Sequence, residues 1–278
     1  MSENIQITGT RADAAFFRIA ELSEFDPAAV LDVLQGRVLG IVFRRVIDSD
    51  VLTEFTRRFW DSEALERRGE DAPSFYLGTY QWNKTLDAYL DDCAAVAKQV
   101  EQYVEADRSP WRWFRDHLAK ELADNGASLR VARSGDREAC AALMRAWDAE
   151  GEFSLAPHED TSQCADPRQA GFEVQDVLDH EVCAVNMCLE NGNGGRLVMW
   201  NVRPDLETRQ RLGIVHTGSP YPAAALQEHE EIRVDIQAGD VYVFNGGYVH
   251  AVDANHGRRT TLSFLAGFKD DQTVVTWT

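Results

Sequence analysis

Three residues have the types and spacing that transition-metal chemistry uses: His158 and Asp160, separated by Glu159, and His250. Two imidazoles and one carboxylate on one face of an iron(II) ion form a facial triad, which leaves the opposite face open for a co-substrate and O2. Arg259 follows shortly after the second histidine. A guanidinium grips a carboxylate through two parallel hydrogen bonds, so Arg259 is placed to hold the far carboxylate of 2-oxoglutarate. Thr261 is two residues further on and shares its face on a strand. Arg258 competes for the same role, and alternation allows only one of the two to point inward; Arg259 is the favoured one. Glu159 points away from its neighbours on an extended segment and receives no ligand role.

A lone His-x-Asp pair says little. The order is what is specific: the pair, then Gly239-Asp240 ahead of a strand, then His250, then Arg259-x-Thr261 opening another strand. If residues 158–160 are extended, positions i and i+2 face the same way and both ligands meet one metal. The remaining histidines (His117, His180, His216, His229 and His256) have no ligand partner at a useful spacing and read as helix-surface or loop residues. Cys183 and Cys188 lie on opposite sides of one strand and read as core.

The elements that position these residues fall into two stretches. Residues 1–128 read as a mostly helical lobe. Asp26-Pro27 is a helix start, a capping residue followed by a proline suited to the first turn. Gly36 stops that helix. Val38 to Phe43 reads as a buried strand. Further helices open near Asp48, at Leu86 and at Ser109-Pro110, each with an apolar stripe at helical spacing. The segment from Pro73 to Trp82 reads as an aromatic loop. Phe75, Tyr76, Tyr80 and Trp82 are its candidates for substrate contact, with Trp277 as a candidate pocket cap. Residues 129–278 read as the core. Leu129–Val131 is a short strand, Asp136–Trp147 is expected to be a helix, and short apolar strands follow, separated by Gly, Asn, Asp and Pro. Many short strands with turn residues between them indicate a sandwich or barrel.

Composition excludes several partners. Lys and Arg number 28 against 46 Asp and Glu, a net charge of −18. Such a surface repels phosphate backbones and anionic membranes. No apolar run is long enough to span a bilayer. The start, MSENIQITGTRADAAFF, has neither a basic nor an apolar leader region, so no secretory signal is expected. Five cysteines with no CxxC pair fit reduced thiols in the cytoplasm. The partner expected is a small molecule; oligomeric state carries no sequence signal.

With these residues in place, the chain resembles the Fe(II)/2-oxoglutarate-dependent oxygenase superfamily. Within it, the chain is most similar to the small-molecule branch that holds the carrier-independent alkaloid halogenases of welwitindolinone type. The likeness runs through Gly194–Asn201, Gly239-Asp240 to Gly247, Arg258-Arg259-Thr260 and Val274–Trp277. It implies an α+β fold with a double-stranded β-helix (jelly-roll) core, and Fe(II), 2-oxoglutarate and O2 as metal and co-substrates. One position departs. The halogenases carry Gly or Ala where this chain has Asp160, and the missing carboxylate is what makes room for chloride. The resemblance therefore implies hydroxylation of a small specialised metabolite or amino-acid derivative. Desaturation, epimerisation, cyclisation or halogenation by the same iron chemistry, a cupin-type reaction without 2-oxoglutarate, and a non-catalytic jelly-roll binding protein remain the alternatives.

Overall fold

The computed structural model of the protein describes residues 6–68, 74–147 and 151–278. The first part supplies β1 (Ile19–Leu22), α1 (Pro27–Leu34), β2 (Gly40–Phe43), α2 (Ser49–Trp60), β3 (Ser74–Leu77), α3 (Leu86–Val104), α4 (Pro110–Asp124) and β4 (Ser128–Val131). The starts of α1, α3 and α4 follow from their sequence. Asp26, Thr85 and Ser109 each accept a hydrogen bond from a free backbone N–H of the first turn. The second part supplies β5 (Leu143–Trp147), β6 (Phe153–His158), β7 (Cys183–Glu190), β8 (Leu197–Trp200), β9 (Glu231–Val234), β10 (Val241–Asn245), β11 (His250–Asp253), β12 (Arg259–Asp270) and β13 (Thr273–Trp277).

These strands make the two facing sheets of a jelly roll. The smaller sheet runs β6-β11-β8-β9, all antiparallel. The larger runs β1-β2-β10-β7-β12-β5-β3, with β13 and β4 added at the far end of β12. Strands β1, β2 and β3 belong to the N-terminal stretch, so that stretch is hydrogen-bonded into the same sheet as the core. Three apolar layers result. Helices pack on the outside of the large sheet, with Val30, Leu34, Phe55, Phe59 and Leu118 against Val185, Val243 and Leu262. The barrel interior holds Leu39, Cys188, Leu197, Met199, Tyr242 and Phe244. A third cluster around Val198, Trp200 and Ala251 covers the outside of the small sheet.

The helix expected over 136–147 does not form: Arg137–Glu138 and Leu143–Trp147 are strands, with irregular chain between them. Residues Ala139 to Met144 are good helix formers, and an apolar run this short does not distinguish a buried strand from a helix. Long-range pairing decides it. Leu143–Trp147 lies between β12 and β3, hydrogen-bonded on both sides. The aromatic stretch is likewise partly a strand, β3; Pro73 lies outside the described residues. Cys183 packs in the helix-side core and Cys188 in the barrel interior, and all five cysteines are buried and unpaired. Among the described residues no helix is long and apolar enough to cross a membrane.

Candidate metal centre and co-substrate pocket

His158 ends β6 and His250 begins β11, and the two are register partners across the small sheet. Their rings lie 4.2 Å apart, centroid to centroid. Asp160 joins them by a different route from the one its spacing suggests. Its backbone is not extended (φ −96°, ψ −14°) and opens the short helix Thr161–Cys164. The chain turns at Asp160, and its N–H donates to the Gly246 carbonyl at 2.8 Å. A Cβ at Gly246 would come within 2.5 Å of Asp160 Oδ2, so a glycine there leaves the carboxylate its present position. The result is convergence. His158, Asp160 and His250 each offer one ligand atom, all within 4.8 Å of one another, and no other group of His, Cys, Asp and Glu among the described residues does so.

The hydrogen bonds around the three fix which atoms face inward. His158 Nδ1 lies 2.8 Å from the Ala156 carbonyl, and His250 Nδ1 2.9 Å from the Tyr248 carbonyl. A carbonyl only accepts, so both Nδ1 atoms carry the proton and both Nε2 lone pairs are free to ligate. His250 Nε2 is 3.5 Å from Asp160 Oδ2, while Gln163 Nε2 donates to the other carboxylate oxygen, Oδ1, at 3.0 Å. Glu159 faces away as expected and has work of its own. It is buried and accepts from Thr161 Oγ1, Ser162 Oγ and the Ser162 N–H, the last at 3.0 Å, so it pins the turn that aims Asp160.

Electrostatics fit a divalent cation. Burial holds His158 well below the usual imidazole range, and the neighbouring His250 adds to the effect. Burial lowers His250 to about 4. Both rings are therefore neutral, the form that binds metal. Burial, with Glu159 beside it, raises Asp160 to about 7. A buried carboxylate and two neutral imidazoles aimed at one point are a donor set that a hard-to-borderline divalent ion stabilises.

Inside the barrel, Arg259 is almost completely buried. Its Nη2 donates to Tyr242 Oη at 2.9 Å and its Nε to the Gly195 carbonyl at 3.1 Å, while Nη1 has no hydrogen-bond partner among the described residues. Gly195 has a left-handed backbone (φ +66°), and a Cβ on it would lie 2.6 Å from Arg259 Cδ. Arg258 is exposed, with its guanidinium 4.4 Å from the Trp60 ring centre. Thr261 shares the inner face with Arg259 and is also buried. Sequence reasoning missed Tyr242, although Tyr242 and Phe244 alternate with valines in β10, and Phe244 stands 4.8 Å from the His250 ring.

The expected substrate contacts divide. Tyr76 is the register partner of Arg145, which pairs in turn with Thr261, so Tyr76 faces the barrel side. Tyr76 and Tyr80 pack at 5.7 Å, and Trp82 donates to the Thr217 carbonyl at 2.8 Å, beside the loop that backs Glu159. Phe75 points the other way and packs on Trp60. Trp277 has no exposed surface and joins the largest apolar cluster; it is the register partner of Leu265, on the face of the sheet opposite Phe264 and Ala266, and its Nε1 is buried without a partner.

Comparison with known proteins agrees with this geometry. Residues 17–278 match the family described as "Carrier-protein-independent halogenase WelO5". L-isoleucine 3(1)-dioxygenase of Pantoea ananatis (strain AJ13355) is 34% identical over 253 residues, covering 87% of this chain and 84% of that one. Among solved structures, an N-substituted L-amino acid dioxygenase from Burkholderia ambifaria AMMD shares the fold, with TM-score 0.55 and 17% identity over 91% of each chain. Its complex with alpha-KG gives TM-score 0.50 and 18% identity, again over 91% of each chain.

Proposed function

The chain belongs to the family of carrier-protein-independent halogenases, within the Fe(II)/2-oxoglutarate-dependent oxygenases, and we propose that it is a hydroxylating member. Its substrate is a small molecule of the amino-acid class, hydroxylated at an unactivated C–H. The observation that carries this reading is Asp160, a carboxylate aimed at the same point as the two histidines, where a halide would otherwise have its place. The similarity to an L-isoleucine dioxygenase supports the same choice.

When bound, iron(II) with 2-oxoglutarate and O2 supplies the oxidant, with succinate and carbon dioxide released. The protein does the rest. His158, Asp160 and His250 hold the metal on one face. Gln163 occupies one oxygen of Asp160 and leaves the other for the metal. Arg259 presents its Nη1 and its Tyr242-braced fork to the distal carboxylate of the co-substrate, with Thr261 alongside. Tyr76, Tyr80 and Trp82 form the wall against which substrate is placed and from which water is excluded. Residues 129–278 act as the catalytic core and 1–128 as a lobe integral to it. The acidic surface keeps nucleic acid away, and the unpaired thiols suit the cytoplasm.

The test is aerobic turnover with Fe(II), 2-oxoglutarate and a panel of L-amino acids and their N-substituted forms, scored by succinate and product mass. A product heavier by one oxygen, lost in Asp160→Ala, supports the reading. Succinate formed with a chlorinated product, or no turnover with any small molecule, contradicts it.

A further inference from the structure

Formal charge inside the barrel does not balance, and the imbalance has a direction. Take the bound site of the proposed function. The two positive charges of iron(II) are matched by Asp160 and by the carboxylate of 2-oxoglutarate nearest the metal. Arg259 is matched by the far carboxylate. Both histidines are neutral. Glu159 is buried on the far side of the Asp160 turn, where Thr161 and Ser162 donate to it, and on the barrel side two guanidiniums, Arg145 and Arg68, have no anionic partner among the described residues.

Arg145 sits on the inner face of β5, register partner of Thr261, while Arg259 pairs with Trp147. It is therefore one inward position, roughly 7 Å, away from Arg259 along the strand direction. Its Nε is buried without a hydrogen-bond partner. Its guanidinium lies 4.2 Å from the Trp147 ring centre, a contact that covers one face and supplies no counter-charge. Arg68 borders the same space, stacked over Tyr80 at 4.6 Å and Trp82 at 5.1 Å. Neither makes an ion pair among the described residues. Glu66, an acid on this wall, is engaged by the Tyr76 hydroxyl at 2.7 Å. Burial, then the repulsion of Arg68 and of Arg259, pushes Arg145 down to about 9. In a chain with net charge −18, these two cations have no ion-pair partner among the described residues.

Keeping a half-buried cation without a partner among the described residues costs stability and is retained where function needs it. We propose that Arg145, with Arg68 beside it, is a carboxylate subsite that receives the α-carboxylate of an amino-acid substrate and so presents its side chain to the metal. The subsite rests on the proposed function. It adds the orienting contact: bidentate capture of the carboxylate by Arg145 fixes one end of the substrate, and the aromatic wall of Tyr80 and Trp82 flanks it.

The test uses the full chain loaded anaerobically with Fe(II) and 2-oxoglutarate, whose visible charge-transfer band is recorded first. The proteinogenic L-amino acids, L-isoleucine first, and the carboxamide of each binder are then titrated and followed by calorimetry. The expected result is at least one amino acid bound roughly 10- to 100-fold more tightly than its amide. Arg145→Met removes that preference, leaves the band in place and keeps or raises the melting temperature. Arg145→Lys restores part of the preference, and Arg68→Met reduces it. Equal binding of acid and amide by the wild type, or binding of no amino acid, overturns the subsite. So does a preference that survives in Arg145→Met, a lowered melting temperature in that variant, or loss of its band, which would move Arg145 to the co-substrate. Absence of the band in the wild type is a different result and removes the proposed function itself.

Discussion

Strands β5 and β12 each have two faces, and the two faces have opposite jobs. On the helix side they present Met144, Ala146, Leu262, Phe264 and Ala266 to one apolar core. On the barrel side the same strands present Arg145, Trp147, Arg259, Thr261 and Ser263. A strand alternates its side chains between two surfaces, so a single residue's shift along it exchanges one job for the other. The helix side holds the sheet rigid by apolar burial. The barrel side gathers polar and charged groups, some without partners among the described residues, where the proposed function puts a metal, a co-substrate and a substrate. The difference teaches that stability and chemistry are separable here, residue by residue, along one stretch of backbone.

Four substitutions break or sharpen that contrast. Asp160→Ala has the largest effect. Loss of a ligand costs more than the 10- to 100-fold typical of a ligand's supporting hydrogen bond, so turnover falls by more than about 100-fold. Single-turnover succinate formation measures it. Next, Arg259→Ala removes the charge-assisted contact to the co-substrate. The 2-oxoglutarate affinity drops by roughly 100-fold, while Fe(II) affinity measured by equilibrium dialysis stays within about threefold. Leu262→Ala sits one residue from Thr261 on the other face, in the fully buried core. It lowers stability by about 2–5 kcal/mol in urea titrations and leaves 2-oxoglutarate affinity unchanged in the folded protein. A matching loss of affinity there would break the separation of faces. Gly195→Ala gives the smallest effect. The added methyl meets Arg259 Cδ and strains a left-handed backbone, which weakens 2-oxoglutarate binding by about tenfold for about 1–2 kcal/mol of displacement and strain.

The convergence of His158, Asp160 and His250 and the inward aim of Arg259 were readable from residue types and from their places around turns and strand starts. Alternation chose Arg259 over Arg258, and the structure puts Arg258 on the outside against Trp60. What was not readable depended on long-range pairing. Residues 136–147 carry helix-forming side chains, so the strand Leu143–Trp147 and with it the inward aim of Arg145 stayed hidden until β12 and β3 were seen on either side. Asp160 reaches the metal point through a turn rather than a pleat, because Gly246 and Glu159 hold that turn. Tyr242 and Gly195 brace Arg259 from strands distant in sequence, contacts that no local pattern encodes. The complete burial of Trp277, near the end of the chain, follows from the pairing of β13 with β12, which only the sheet reveals.

The measurement that bears most directly on the central claim is anaerobic. Fe(II) and then 2-oxoglutarate are added to the purified protein, and the weak visible metal-to-ligand charge-transfer band is recorded beside Asp160→Ala and Arg259→Ala. The account predicts a band in the wild type that needs roughly 100-fold more 2-oxoglutarate in the Arg259 variant. Wild-type protein that binds Fe(II) yet shows no band at any 2-oxoglutarate concentration would contradict it.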